Sequence, residues 1–189
     1  MTDIALRKNI ELDIALTDNE WSCILEKVNY IIAKKNEFLQ TQNSNTTYEI
    51  FIVKGSFKIY ILNEDGTESI VFFAFENNWM CDIESFYHQK AAKYNIKAMQ
   101  YSEVWIISRP NKILLLKQVP KLIHFQIRML ERLNLAIEKR LLDLLHKTSK
   151  QRYSEFAKRY PDKIKNITDR NLSLYLGVSH EFLSKIKKL

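Results

Sequence analysis

The chain has 189 residues, 46% of them hydrophobic, and a net charge of +7. That is enough apolar material for one large or two small domains and too much for a disordered chain. No run approaches the roughly 18 apolar residues of a membrane helix, and "MTDIALRKNIELDIALTDNE" lacks the basic start and long apolar centre of a secretory signal, so a cytoplasmic protein with no membrane contact is expected. Cys23 and Cys81 are too few and too far apart for a disulfide framework or a thiolate-held cluster. His88, His124, His146 and His180 have no ligand spacing, so no metal site is expected.

The charge is unevenly placed. Residues 1–108 carry 10 basic against 15 acidic side chains, a net of −5; residues 109–189 carry 19 against 7, a net of +12. A basic C-terminal half points to a polyanion at that end.

In chain order, Thr17-Asp18-Asn19-Glu20 is a capping-box pattern, and Trp21, Ile24, Leu25 and Val28 follow on one face, so a helix over about 18–30 is expected. From Phe38 to Phe75 the pattern becomes that of strands rich in Ile, Val, Phe and Tyr, broken at Gly55 and again at Asp65-Gly66, a hairpin signal. Lys93–Ile107 adds further strands. There is no βαβ alternation and no phosphate-binding glycine loop, which disfavours a dinucleotide fold.

Past Pro110 and Pro120 the spacing turns helical. Ile123, Leu130, Ile137 and Leu144 recur every seven residues, with Ile127, Leu133 and Leu141 between them, a heptad seam. A second stripe, Leu122, Phe125, Met129, Leu135, Leu142 and Leu145, suggests two partners: the β region on one side and a second copy of the chain on the other. "TSKQRYSEFAKRYPDKIKN" reads as a helix capped by Thr148 or Ser149 and ended by Pro161.

The closing segment combines a Thr168 cap, a small Ser173, Gly177 where a helix must end at positive φ, and Ser179 as the next cap. Together they form the helix-turn-helix pattern. On the second helix, Ser179, His180, Glu181, Ser184 and Lys185 are candidates for base edges and phosphate. Lys187 and Lys188 are candidates for backbone attraction, and the Thr168 helix start for a phosphate.

Capped helix, glycine-turned β-roll, long helix after "VP" and terminal helix pair resemble, in that order, the Crp/Fnr family of bacterial transcription regulators. "FIVKGSFKIYILNEDGTES" looks like the family's I-V-x-G-x-(K/R)-(I/V) segment and "LSLYLGVSHEFLSKIKKL" like its recognition unit. The resemblance implies an α+β fold: an antiparallel β-roll sensor of the cyclic-nucleotide-binding type over residues 1–119, a dimerisation helix over 120–147, and a small all-helical helix-turn-helix unit over 148–189 that lacks the family's β-hairpin wing. It implies a homodimer, double-stranded DNA as partner, RNA polymerase as a further one, and a small-molecule effector of unknown identity.

Two departures matter. Family members that bind cyclic AMP hold it with a Gly-Glu pair and an Arg-Ser or Arg-Thr pair. Here the stretch reads "CDIESFYHQKAAKYNI", leaving Asp82, Glu84 and Lys93 as ligand candidates and Ala91-Ala92 where the arginine belongs. Tight cyclic AMP binding is therefore not expected, and no other cofactor is implied. Arginines common at the His180 and Lys185 positions are also replaced, which implies a changed operator preference. Two rivals stay open: a ligand-binding module whose C-terminal helices dock a protein, and a β-barrel enzyme using His88 with Asp82 and Glu84.

Overall fold

Two helices precede the sheets in the computed structural model, which describes residues 2–45 and 48–188: α1 (Thr2–Ile10) and α2 (Asp18–Leu25). The capping box forms as its residues dictate. Glu20 N donates to Thr17 Oγ1 at 3.3 Å, and Thr17 N to the Glu20 carboxylate at 2.8 Å. The helix expected to reach residue 30 stops at Leu25, and β1 (Asn29–Ala33) follows. Tertiary pairing decides this, because Ile31 and Ile32 lie opposite Val104 and Glu103 of a strand much later in the chain. The first helix was not foreseen from sequence, yet it buries Leu6 and Ile10 completely or nearly so.

The remaining strands are β2 (Phe38–Gln40), β3 (Tyr48–Lys54), β4 (Ser56–Leu62), β5 (Glu68–Phe75), β6 (Trp79–Met80), β7 (Asn95–Ala98) and β8 (Ser102–Ser108). They make two four-stranded antiparallel sheets, ordered β1-β8-β3-β6 and β2-β7-β4-β5. Gly55, at φ +101°, is the corner where the chain leaves the first sheet for the second. The Asp65-Gly66 turn closes the β4–β5 hairpin, pairing Leu62 with Glu68. Ile52, Phe57, Ile96 and Val104 fill the space between the sheets. A short helix, α3 (Ile83–His88), links β6 to β7.

Ser108 caps α4 (Arg109–Gln118), and α5 (Leu122–His146) follows, 25 residues long, which corresponds to roughly 37 Å. Its first turns close the core beneath α1 and α2 through Leu122 and Phe125, with Met129 packed at the edge. The rest of the second apolar stripe does not join them. Leu135, Leu142 and Leu145 are 62%, 48% and 68% exposed. At about 100° per residue, Leu135 and Leu142 lie roughly 200° round the helix from Leu122, so one side of α5 cannot carry all six.

Thr148 caps α6 (Ser149–Arg159) with a second capping box. A 3₁₀ turn at 164–166 leads into α7 (Asp169–Leu176) and α8 (His180–Lys187). This C-terminal unit packs on β5. Phe73 and Phe75 meet Phe156, Tyr160 and Tyr175 at ring separations of 5.0–6.0 Å, over a buried interior of Ile167, Leu172, Leu176 and Leu183.

Candidate nucleic-acid interface and sensor cleft

The two closing helices are separated by a turn built from Gly177. Its φ is +67°, its N–H donates to Leu174 O at 3.4 Å, and Val178 N–H donates to Ser173 O at 3.0 Å. This is the Schellman arrangement, which ends a helix and satisfies its last carbonyls. Two arginines take more of them. Arg140 of α5 donates to Tyr175 O at 3.2 Å and Arg152 of α6 donates to Leu176 O at 2.9 Å. Arg140 also lies 3.8 Å from the centre of the Tyr175 ring and donates to Ile70 O of β5. Charged donors on the negative end of α7 are favoured twice, by hydrogen bonding and by the helix dipole. Ser173 is buried where α7 and α8 cross, its hydroxyl turned back to Arg170 O.

Leu183 and Ile186 bury one side of α8. The opposite side is open: His180, Glu181, Lys185 and Lys188 are exposed and Ser184 is half-buried. Ser179 Oγ accepts Phe182 N at 3.1 Å and Thr168 Oγ1 accepts Asn171 N at 3.3 Å, so both are helix caps. Its own backbone amide and then the Ser179 hydroxyl hold the Glu181 carboxyl below its usual range, so it stays an ionised acceptor. Lys187 differs from its neighbours. Its ammonium is 2.6 Å from Asp169 Oδ1, tying α8 to α7. Sequence reasoning passed over Phe182, exposed in the first turn of α8. Lying one residue before Leu183 and four before Ile186, it fits their packing stripe by spacing, so nothing in the sequence signals its exposure.

Between the β-roll, α5 and the C-terminal unit lies a cleft of about 1230 Å³, lined among others by Phe72, Cys81, Tyr87, Gln126, Leu133 and Arg140. The three charged ligand candidates border it already engaged. Asp82 is buried and uses one carboxylate oxygen to cap α3 at Ser85 N (3.3 Å) and the other to accept Lys93 N at 2.6 Å. Glu84 bridges the ammonium groups of Lys90, at 2.8 Å, and Lys93. These hydrogen-bonded cations hold Glu84 down at about 2. Ala92 is buried beside them. Deeper in, Gln126 donates to the Tyr87 hydroxyl at 3.1 Å, and burial, with Glu49 nearby, pushes Tyr87 up to about 12. Burial raises the Cys81 thiol as well, leaving it protonated and unreactive. Among the described residues no cluster of His, Cys, Asp and Glu is arranged to hold a metal ion, and no helix is long and apolar enough to cross a membrane.

Along α5, Ile123, Ile127, Leu130, Ile137, Leu141 and Leu144 are all exposed. Leu133, the remaining seam candidate, is half-buried and lines the cleft, as Leu130, Ile137 and Leu144 also do. Asn134 is exposed at the heptad position four after Leu130 and three before Ile137, so it belongs to the seam in Leu133's place.

Residues 31–118 match the family model of the cyclic nucleotide-binding domain. Among curated proteins no sequence matches. Among solved structures the chain resembles FixK2 of Bradyrhizobium japonicum, with TM-score 0.74, 17% identity, and 85% of this chain aligned to 83% of that one. It resembles the c-di-GMP-responsive global regulator CLP of Xanthomonas campestris, with TM-score 0.74, 11% identity and 91% of this chain aligned to 90% of that one. A protein of Eubacterium rectale assigned to the Crp/Fnr family aligns 82% of its length to 92% of this chain, with TM-score 0.71 and 16% identity. Identities this low establish a common fold.

Proposed function

From a chain that has the Crp/Fnr fold and a cyclic nucleotide-binding domain match over residues 31–118, we propose a homodimeric, DNA-binding transcription regulator. One observation carries the reading: the outward face of α8, capped by Ser179 and held away from the core by the Gly177 turn, presents His180, Glu181 and Lys185 together. Glu181 accepts from a cytosine amine, and Lys185 donates to guanine O6 and N7. His180, Ser179 and the α7 amides beyond Thr168 contact phosphate. A parallel pair of α5 helices sets two such faces about 34 Å apart, one turn of duplex, so the operator is roughly palindromic. Selection of duplexes from a random pool tests this. Enrichment of a palindrome, bound with a steep salt dependence, is the expected result. Retention that ignores both sequence and salt refutes it in favour of a protein-docking role.

Lys185 and Lys188 separate specificity from attraction. Lys185→Ala is expected to cost roughly 1–3 kcal/mol on the operator and little on random DNA. Lys188→Ala weakens both about equally and lowers the salt slope by about 1. Lys187 contributes less than either, because Asp169 already neutralises it. Fluorescence anisotropy across a salt series checks all three, and equal losses for Lys185→Ala on the two DNAs contradict the assignment.

We further propose that the sensor cleft answers to something other than cyclic AMP. A cyclic phosphate needs a paired, bidentate cation to offset its desolvation. Ala91-Ala92 stands where the Arg-Ser or Arg-Thr pair that supplies that guanidinium is expected, and Lys93 is committed to Glu84. Calorimetric titration with micromolar cyclic AMP is expected to give no saturable heat; a saturable isotherm overturns this.

A further inference from the structure

Phe182 has no structural employment. It is 47% exposed, and among the described residues from Ser149 onward it is the large apolar side chain left in the exposed class. The other aromatic residues of this unit, Tyr153, Phe156, Tyr160 and Tyr175, all join the cluster on β5, and Phe182 does not. Its backbone is nevertheless fixed, because its N–H is the one that Ser179 Oγ accepts. It therefore stands in the first turn of α8, next after Glu181 in the chain and at the edge of the open face, with Lys185 its neighbour three residues on along the helix surface.

We propose that Phe182 is a specificity-determining residue that packs on the 5-methyl group of a thymine in the major groove. This rests on the DNA-binding reading above and deepens it. The flanking side chains are an ionised carboxylate and an ammonium, groups that read polar base edges. A phenyl ring among them finds one apolar feature on the groove floor, the thymine methyl. The surrounding basic charge, +12 over residues 109–189, favours a polyanion over an apolar protein surface as the occupant of this face. The first turn of the second helix is the part that reaches deepest in such units. Because Phe182 and Lys185 are adjacent on α8, the thymine lies within one base step of the base that Lys185 contacts.

The test uses the full-length protein and the duplex that random-pool selection returns. Each thymine in the half-site is replaced in turn by uracil, which keeps every pairing and edge group and removes only the methyl. At one symmetry-related pair of positions the wild-type protein is expected to bind roughly fourfold more weakly per half-site, the amount that burying one methyl contributes. Phe182→Ala, with an unchanged melting temperature, should no longer distinguish thymine from uracil there, and Phe182→Leu should keep part of the distinction. Indifference of the wild type at every thymine overturns the proposal, as does full uracil sensitivity retained by Phe182→Ala. If no sequence is enriched at all, the DNA-binding reading fails first and takes this inference with it, before any uracil is introduced.

Discussion

Replacing Ile127 and Leu141 together by aspartate is expected to convert the proposed dimer to monomers and to lower operator affinity by roughly two to four orders of magnitude. Both residues are exposed in the single chain, 49% and 55%, and both lie on the α5 seam away from the cleft. In a parallel pair each faces its own copy, so every substitution places two carboxylates against each other in a site built for apolar side chains. Neither residue belongs to the core clusters, so the monomer should keep its fold and its melting temperature should fall only as far as lost association dictates. The affinity loss follows from geometry: one subunit holds one half-site, and the second contact ceases to be intramolecular. Sedimentation velocity gives the mass and anisotropy the affinity. A variant that remains dimeric, or a monomer that binds the operator as the dimer does, contradicts the arrangement. Asn134 refines the same picture. A polar residue at one seam position fixes register at a cost in stability, so Asn134→Leu should tighten the dimer while loosening its discrimination between operators of different half-site spacing.

How much of this could be read from sequence depended on whether the signal was local. Thr17, Thr148, Thr168 and Ser179 cap helices because a side-chain oxygen two or three residues before an amide needs no distant partner. Gly55 and Gly177 mark turns for the same reason. Some misreadings turned on distant contacts, and others, such as the second stripe on α5, on helix geometry. Asn29–Ala33 is a strand because β8, about 75 residues away, offers it a ladder. Leu133 lies one residue short of the position that Ile127 and Leu141 keep every seven, and it is half-buried where they are exposed. The candidate ligand residues show a related limit. A sequence shows that Asp82, Glu84 and Lys93 are charged and near one another, but only the folded loop reveals that they neutralise each other and cap α3. The arginines on the end of α7 were invisible for the same reason, since Arg140 and Tyr175 are 35 positions apart.

Gly55→Ala is expected to be the most damaging single substitution in the β-roll, costing at least about 3 kcal/mol. Two effects add at this corner. A φ of +101° is a backbone conformation that an L side chain adopts only under strain. A Cβ built there would also lie 2.7 Å from Ser102 Cβ and 2.8 Å from Ser102 Cα, with backbone on the far side that cannot withdraw. Ser102 is itself fixed: it is fully buried, accepts Ser56 N at 3.3 Å and donates to Gln100 O at 3.0 Å. Relief therefore has to come from parting β4 from β8 at the point where the two sheets join. Gly177→Ala is the control, with φ +67° and open space around the new methyl. It carries the strain alone, about 1–2 kcal/mol. For a chain of this size the Gly55 variant should melt at least roughly 6–12 °C below the parent and the Gly177 variant roughly 2–8 °C below it. The two also separate fold from function. The Gly55 variant should lose DNA binding only in proportion to the fraction unfolded. The Gly177 variant should lose more affinity than its stability explains, because the angle between α7 and α8 aims the reading face. Calorimetric melting paired with operator titration distinguishes them. Equal stability losses would mean that contact with Ser102 is not what requires glycine at position 55.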